Sequence, residues 1–316
     1  MSDNPLVNIR ISMMKQRQLL TRLLALASIW LILLQNGPVR AGSIAPDFVL
    51  KTAVSGVTLY EKTIFTGYHQ YVQIIHLNQG ASVQLRHGPI AQPGTGEGDY
   101  GGDNPLIFTQ AITDIWAEFH PQQPDTFCLT NGQFYSSHAS AVRLSFPVKA
   151  DGHLISSGYG RDQFPGDQLL LEIWPHQATI RPMSEAALLT STAPNLLVGL
   201  TEEAAGRRPN ARTGRTFIGV GHPNEAGFYQ SLLIFSSQSA RKTDAVTTLS
   251  QFGAERVMML DGGASTQLIC EGELLLGPGR YIPQAIAILP APMLPILPNC
   301  QVNGLTHWPD NRRLLC

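Results

Sequence analysis

Arg256-Val257-Met258-Met259-Leu260 runs straight into Asp261-Gly262-Gly263-Ala264-Ser265-Thr266. The first five residues read as a buried strand. The carboxylate, two glycines and two hydroxyls beyond them are poor core material. Glycine accepts positive φ and lets another molecule approach the backbone closely. A carboxylate, hydroxyls and open amides at one strand end suit a polar ligand such as a sugar or a phosphate. Asp-Gly-Gly also makes an ordinary hairpin turn. Both readings stand on these residues alone.

Working outward, short apolar runs recur along the chain. Tyr71–Leu77 alternates loosely and reads as a strand. Ala81–Leu85 comes after Asn78-Gln79-Gly80, which predicts a hairpin. Gln92–Asn104 is rich in Gly and Asp and reads as a loop. Thr109 is placed to cap a helix whose Ile112, Ile115, Trp116 and Phe119 share one face, with Pro121 ending it. Thr126–Thr130, Leu169–Trp174, Thr216–Val220 and Gln230–Phe235 read as further strands. Thr243 is placed to cap a second helix with Ala245, Val246, Leu249 and Phe252 inward, closed by Gly253. Pro290–Pro298 cannot continue a sheet. Strands outnumber helices and their spacing is irregular. That pattern predicts an α+β domain with a mixed, mostly antiparallel sheet and few helices.

The amino terminus carries its own signal. Lys15, Arg17 and Arg22 precede the uncharged apolar run Leu23–Leu34, and Val39-Arg40-Ala41 places small residues as a signal peptidase requires. Residues 1–41 therefore read as a secretory signal, with cleavage after Ala41. The alternative is an uncleaved anchor, although the run is short for a membrane span. No later stretch is long and apolar enough to cross a bilayer. The expected location is secreted, periplasmic or cell envelope.

The chain carries a formal net charge of −1. Residues 1–41 hold five basic side chains and one acidic, so the remainder carries 17 basic against 22 acidic. A mildly acidic domain is not a nucleic-acid binder by charge. At 43% hydrophobic and 14% charged residues, the chain is a packed globular protein and not a disordered one.

Export permits disulfides. Cys300 and Cys316 bracket a polar tail and are expected to pair. Cys128 sits in an apolar strand and is either a buried thiol or a partner of Cys270 where those strand ends adjoin. No Cys-x-x-Cys, His-x-His or His-Glu-x-x-His occurs. Asp99, Asp103 and Asn104 could hold a hard cation, but their spacing is not that of an EF-hand, and a solvated loop is the plainer reading. Gly94-Thr95-Gly96-Glu97-Gly98 lacks the helix that a nucleotide motif needs. No metal or cofactor is expected.

Four segments together resemble one family. Asn131-Gly132-Gln133-Phe134-Tyr135 resembles its Asn-Gly-x-Phe-Phe motif. Gly214-Arg215-Thr216-Phe217-Ile218-Gly219 resembles its Arg-Thr-Ala-Ile-Gly motif. Leu260–Leu268 resembles its Asp-Gly-Gly-Gly-Ser motif, with Ala264 at the third glycine. Ile282-Pro283-Gln284-Ala285-Ile286-Ala287 resembles its closing Val-Pro-Asn-Ala strand, with Gln284 at the Asn. The family is the phosphodiester glycosidase domain. It includes enzymes that remove N-acetylglucosamine from mannose 6-phosphate diesters, and bacterial secreted relatives linked to exopolysaccharide. With the signal (1–41) and the Pro-rich tail (290–316) read from the residues, the resemblance over 71–289 marks the glycosidase-like domain and leaves 42–70 as an N-terminal extension.

The resemblance implies hydrolysis of a glycosyl 1-phosphodiester, on a carbohydrate or glycosyl-phosphate substrate. The departing phosphate is a weak base and needs little help from a general acid. The demands are a carboxylate at the anomeric centre, donors for phosphate charge, and polar groups for the sugar. Asp261 is the candidate carboxylate, and Arg215 the candidate fork for phosphate oxygens. Asn131, Gly132, Thr216, Gly262, Gly263, Ser265 and Thr266 are candidate substrate-binding residues. Each has a plainer reading. Asp261 could only cap local amides, Arg215 could only pair with Asp261, and Asn131 could only hold a left-handed turn. Phe134 and Tyr135 read as core, with Tyr135 also able to stack on a sugar. Glu225 reads as a loop charge or a second carboxylate, and His222 as a loop residue. The competing class is a non-catalytic glycan-binding or exopolysaccharide-assembly protein on the same fold.

Overall fold

The computed structural model describes residues 45, 47–65, 67–204 and 210–292. The expected signal (1–41) and the Cys300–Cys316 pair lie outside these residues.

The chain opens with β1 (Val49–Val54), β2 (Val57–Phe65) and β3 (Tyr68–His76), an antiparallel meander. Gly56 holds the first turn at φ 74°. The family-like boundary at Tyr71 falls inside β3, and β1 and β2 add to the sheet that β3 belongs to. β4 (Ser82–His87) is next, with Val83 and Leu85 inward and their neighbours half-buried or exposed. The expected β3–β4 hairpin does not form. Leu77–Gln79 instead makes a single 3-10 turn ending at Gly80 (φ 92°), and the chain crosses to a second sheet. β3 already has β2 and the strand Tyr229–Ala240 on its two edges, so no ladder is left for β4.

β5 (Ile90–Gln92) and β6 (Leu106–Phe108) flank the Gly-rich loop. Helix α1 (Ile112–Phe119) buries Ile112, Ile115 and Phe119, as its spacing predicts. Thr109 does not cap it. The N-cap is Ala111, and the Thr109 hydroxyl reaches back to the carbonyls of Ala139 and Ser140. Then come β7 (Cys128–Asn131), β8 (Ala141–Val142), β9 (Val148–Ala150), β10 (His153–Ser156), β11 (Gln168–Trp174) and β12 (Gln177–Pro182). Helix α2 (Glu185–Thr190) is capped by the Ser184 hydroxyl. The strands β13 (Asn195–Leu200), β14 (Thr213–Pro223) and β15 (Tyr229–Ala240) come next.

Helix α3 (Lys242–Gln251) starts at Arg241, whose N–H is taken by Asp244, so Thr243 lies inside the helix and is not its cap. Gly253 closes it at φ 94°. The chain ends its described part with β16 (Ala254–Met259), β17 (Leu268–Cys270), β18 (Glu273–Leu276) and β19 (Gln284–Leu289).

Among the described residues every strand pair is antiparallel and the fold is α+β, dominated by sheet. The large sheet runs β1-β2-β3-β15-β12-β11-β13-β16-β14, and β14 pairs back onto β15, so part of it closes on itself. A five-stranded sheet runs β18-β17-β7-β19-β4. The two pack face to face. Val83, Leu85, Leu268, Ile286 and Ile288 of the smaller sheet meet Leu59, Ile75, Ile218, Val220 and Ile234 of the larger. Each such fully buried aliphatic side chain contributes about 1.5–3 kcal/mol. Helix α3 covers the outer face of β14–β16 through Ala245 and Leu249, and α1 covers the smaller sheet through Ile112 and Ile115.

Cys128 and Cys270 face each other on β7 and β17 and form a disulfide. Of the two readings of Cys128, the bridged one is seen, because its neighbour strand is the one that carries Cys270.

Candidate active site

The site lies where the two sheets meet. β7 ends at Asn131 in the smaller sheet. β14 supplies Thr216 in the larger, and Asp261 stands two residues beyond the end of β16. Asn131 is the knot. Its Nδ2 donates to the Asp261 carbonyl at 2.7 Å, and its Oδ1 accepts from the Thr216 hydroxyl at 2.8 Å and from the Gln267 N–H at 3.2 Å. Thr216 also reaches the Thr266 hydroxyl at 3.5 Å. The backbone closes the same junction: Asp261 N–H donates to Gly132 O and Leu260 N–H to Thr216 O. Asn131 is not in a left-handed turn, so its side chain and not its φ explains its place.

Two glycines are forced by close approach. A Cβ on Gly132 would stand 1.9 Å from Gln284 Oε1, whose oxygen accepts the Gln133 N–H at 2.7 Å. A Cβ on Gly214 would stand 2.0 Å from the carbonyl of Gly263. Gly263 itself takes φ 62° as it opens a 3-10 turn over Gly263–Ser265. Gly262 and Gly263 remain partly exposed, and Ala264 is exposed.

Asp261 is buried, and its carboxylate is held on three sides. Oδ1 accepts the Gly262 N–H at 3.0 Å, Oδ2 accepts Arg280 Nη2 at 3.1 Å, and the Ser265 hydroxyl bonds the same carboxylate. Burial raises the pKa of Asp261, and Ser265, Arg280 and the Gly262 amide pull against that rise. Arg280 also donates from Nε to Ser265 Oγ at 2.6 Å, meets His138 Nδ1 at 3.0 Å through Nη1, and lies 4.8 Å over the Tyr135 ring. Tyr135 donates to the Tyr281 carbonyl at 2.9 Å and contacts Ser265 Oγ at 3.2 Å. Burial raises its pKa too.

The structure thus brings together Asn131, Gly132, Thr216, Asp261, Gly262, Ser265 and Thr266. It does not pair Asp261 with Arg215. Along β14, Phe217 packs on the α3 side and Ile218 on the inter-sheet side. Strand alternation puts Arg215 with Phe217 and Thr216 with Ile218. Arg215 is buried, and among the described residues its Nε has no hydrogen-bond partner. Its Nη2 reaches the Ala211 carbonyl at 3.5 Å, and Lys242 lies close enough for the two charges to repel. Burial lowers its pKa.

Arg280, His138 and Tyr281 were not legible as site residues. The one signal was an arginine in Gly277-Pro278-Gly279-Arg280-Tyr281, directly before the Ile282-Pro283-Gln284 segment. His222 lies near the far end of β14, roughly 20 Å along the strand from Thr216, and Glu225 sits in the turn beyond it. In the Gly-rich loop Asp99 accepts the Arg161 N–H, Asp103 accepts the Gly96 N–H, and Asn104 bonds Leu144 and Ser156. Among the described residues no three His, Cys, Asp or Glu side chains cluster as a metal site would need.

The sequence profile of the phosphodiester glycosidase family matches residues 109–289, and the chain belongs to that family. The catalytic domain of zebrafish N-acetylglucosamine-1-phosphodiester alpha-N-acetylglucosaminidase, auto-inhibited by its pro-peptide, is similar with a TM-score of 0.51 at 15% identity. The likeness covers 79% of this chain and 87% of that one. A hypothetical protein from Synechocystis is similar with a TM-score of 0.48 at 12% identity, over 78% of this chain and 64% of that one. No curated protein matches the chain at a significant level.

Proposed function

We propose that this chain hydrolyses a glycosyl 1-phosphodiester on envelope or extracellular glycans, reached by export through residues 1–41. The observation that carries the reading is the Asp261 carboxylate. It sits at the family's Asp-Gly-Gly position, desolvated, and oriented by Arg280, Ser265 and the Gly262 amide. Asp261 acts at the anomeric carbon as nucleophile, base or electrostatic stabiliser. Its three donors fix its orientation before substrate arrives, which is the condition for useful electrostatic catalysis. Asn131 and Thr216 position it by locking its backbone to the two sheets. Gly262 and Gly263 leave backbone free at the rim for the sugar or the phosphate. Arg215, a buried guanidinium whose Nε lacks a partner among the described residues, is the second group suited to phosphate charge.

The test is a panel of sugar 1-phosphodiesters incubated with the exported protein, scored by release of free sugar and phosphate monoester. Cleavage by wild type and none by Asp261→Asn supports the reading. One feature favours the competing class of a glycan-binding protein: the Asp261 side chain is only 11% exposed. Glycan binding without cleavage of any member of the panel would establish that second reading.

A further inference from the structure

A cavity of about 430 Å³ lies at the other end of β7 from Asn131, against the disulfide. Phe127, which precedes Cys128, forms its floor, and Glu271, which comes after Cys270, stands at its mouth. Its aromatic wall is Trp116 stacked on His120, with ring centroids 4.9 Å apart and planes 13° apart. Among the described residues no lysine or arginine lines it. Four residues of strand, roughly 13 Å, separate Phe127 from Asn131, so this cavity is distinct from the Asp261 site.

Three of its polar side chains are idle among the described residues. Asp125 and Glu271 are exposed, and among the described residues neither side chain makes a hydrogen bond or ion pair. Among the described residues His120 Nδ1 is buried without a partner. A Cβ on Gly272 would come 3.9 Å from Trp116 Nε1, so the indole N–H edges the cavity beside open backbone. Glu271 carries a further mark. It sits at φ 51° ahead of Gly272 at φ 81°, in the tight turn between β17 and β18. Such a turn favours Asn, Asp or Gly at that position. A long carboxylate held there against backbone preference points to a use for the carboxylate.

We propose that this cavity binds one sugar ring, neutral or amino-substituted, as a non-catalytic subsite. The flat Trp116–His120 wall and the Phe127 floor take the apolar face of a pyranose. Asp125 and Glu271 accept from its hydroxyl or ammonium groups, as paired carboxylates do best with donor-rich ligands. The absence of a lining cation turns away a phosphorylated or carboxylated sugar. The subsite stands apart from the assignment of Asp261.

The experiment tracks the Trp116 indole N–H resonance, assigned with Trp116→Phe, during titration of the exported protein. The probes are N-acetylglucosamine, glucosamine and glucose 1-phosphate. The expected result is a saturable shift with the first two and none with the third. Affinity falls about tenfold in Asp125→Asn and in Glu271→Gly, as loss of a charge-assisted hydrogen bond would produce. Glu271→Gly removes the turn strain as well, so its thermal midpoint equals or exceeds wild type and separates lost binding from lost fold. An unmoved resonance with both neutral and amino sugars overturns the proposal. So does an equal shift with glucose 1-phosphate, or undiminished affinity in Glu271→Gly.

Discussion

Asp261 and Arg215 are both 8% exposed, yet their charges are treated in opposite ways. Asp261 is met by a guanidinium, a hydroxyl and an amide, all within hydrogen-bond reach. Among the described residues Arg215 meets one carbonyl at 3.5 Å, which is a long bond, and its Nε meets nothing. A buried charge without partners is costly, and replacing it by an apolar side chain is often stabilising. The Asp261 side is a finished arrangement, with the carboxylate already held by its donors. The Arg215 side is an unfinished one that an anion would complete. In the proposed reaction Asp261 works at the anomeric carbon, and Arg215, which lies on the α3 side of β14, is the candidate for phosphate charge.

The sharpest way to break the contrast is Asp261→Asn. The amide keeps the shape and can still accept from Gly262, but it carries no charge to offer the anomeric centre. Turnover of a glycosyl phosphodiester should fall about 100-fold or more. Equal turnover in the variant would remove Asp261 from the chemistry.

Arg215→Lys comes next. Lysine keeps the charge and loses the planar fork, so a loss of about tenfold is expected, mostly in KM. Arg215→Met separates stability from function. Its thermal midpoint should equal or exceed wild type, while the rise that inorganic phosphate gives wild type disappears. A phosphate response that survives in Arg215→Met would assign the anion to other groups.

Arg280→Gln tests the finished side through pH. Burial raises the folded pKa of Asp261 above its unfolded value, and Arg280 opposes that rise. Removing Arg280 lets the pKa climb further, so the acid limb of kcat moves to higher pH. The stability consequence has a fixed sign. With a raised folded pKa, the stabilisation from Asp261 is complete below its unfolded pKa and is lost as pH rises through its folded one. In Arg280→Gln that loss should occur at higher pH than in wild type. A purely structural Arg280 would lower the melting temperature and leave the acid limb where it was.

Much of this arrangement was legible in the sequence because strand tips leave a local signature. Arg256–Leu260 is an apolar run, and the carboxylate, glycines and hydroxyls of Asp261–Thr266 do not suit a core. Asn131 and Thr216 likewise end or begin such runs, so their meeting with Asp261 is a matter of sheet geometry. Arg280 was hidden because an ion pair between residues 19 apart in sequence leaves no spacing pattern. The failed hairpin at Asn78–Gly80 has a related cause. Turn chemistry there is local and genuine, but strand partners are chosen by the whole sheet, and β3 is already paired on both edges. The caps misread at Thr109 and Thr243 show the same competition: each hydroxyl residue had the right type, and tertiary contacts or Asp244 set the helix start instead.

The smallest expected effect belongs to Tyr135→Phe. The ring stays under Arg280, so the cation–π contact at 4.8 Å is kept. The variant loses the hydroxyl that joins Ser265 to the Tyr281 carbonyl. A net hydrogen bond of this kind is worth about 1 kcal/mol. Ser265 still accepts from Arg280, so Asp261 keeps its main partner and only the outer brace loosens. A decline of about fivefold in kcat, with KM and the acid limb unchanged, is the expected outcome. A larger loss, comparable with Asp261→Asn, would mean that Tyr135 touches substrate directly and that the finished side of the site extends further toward solvent than its hydrogen bonds imply.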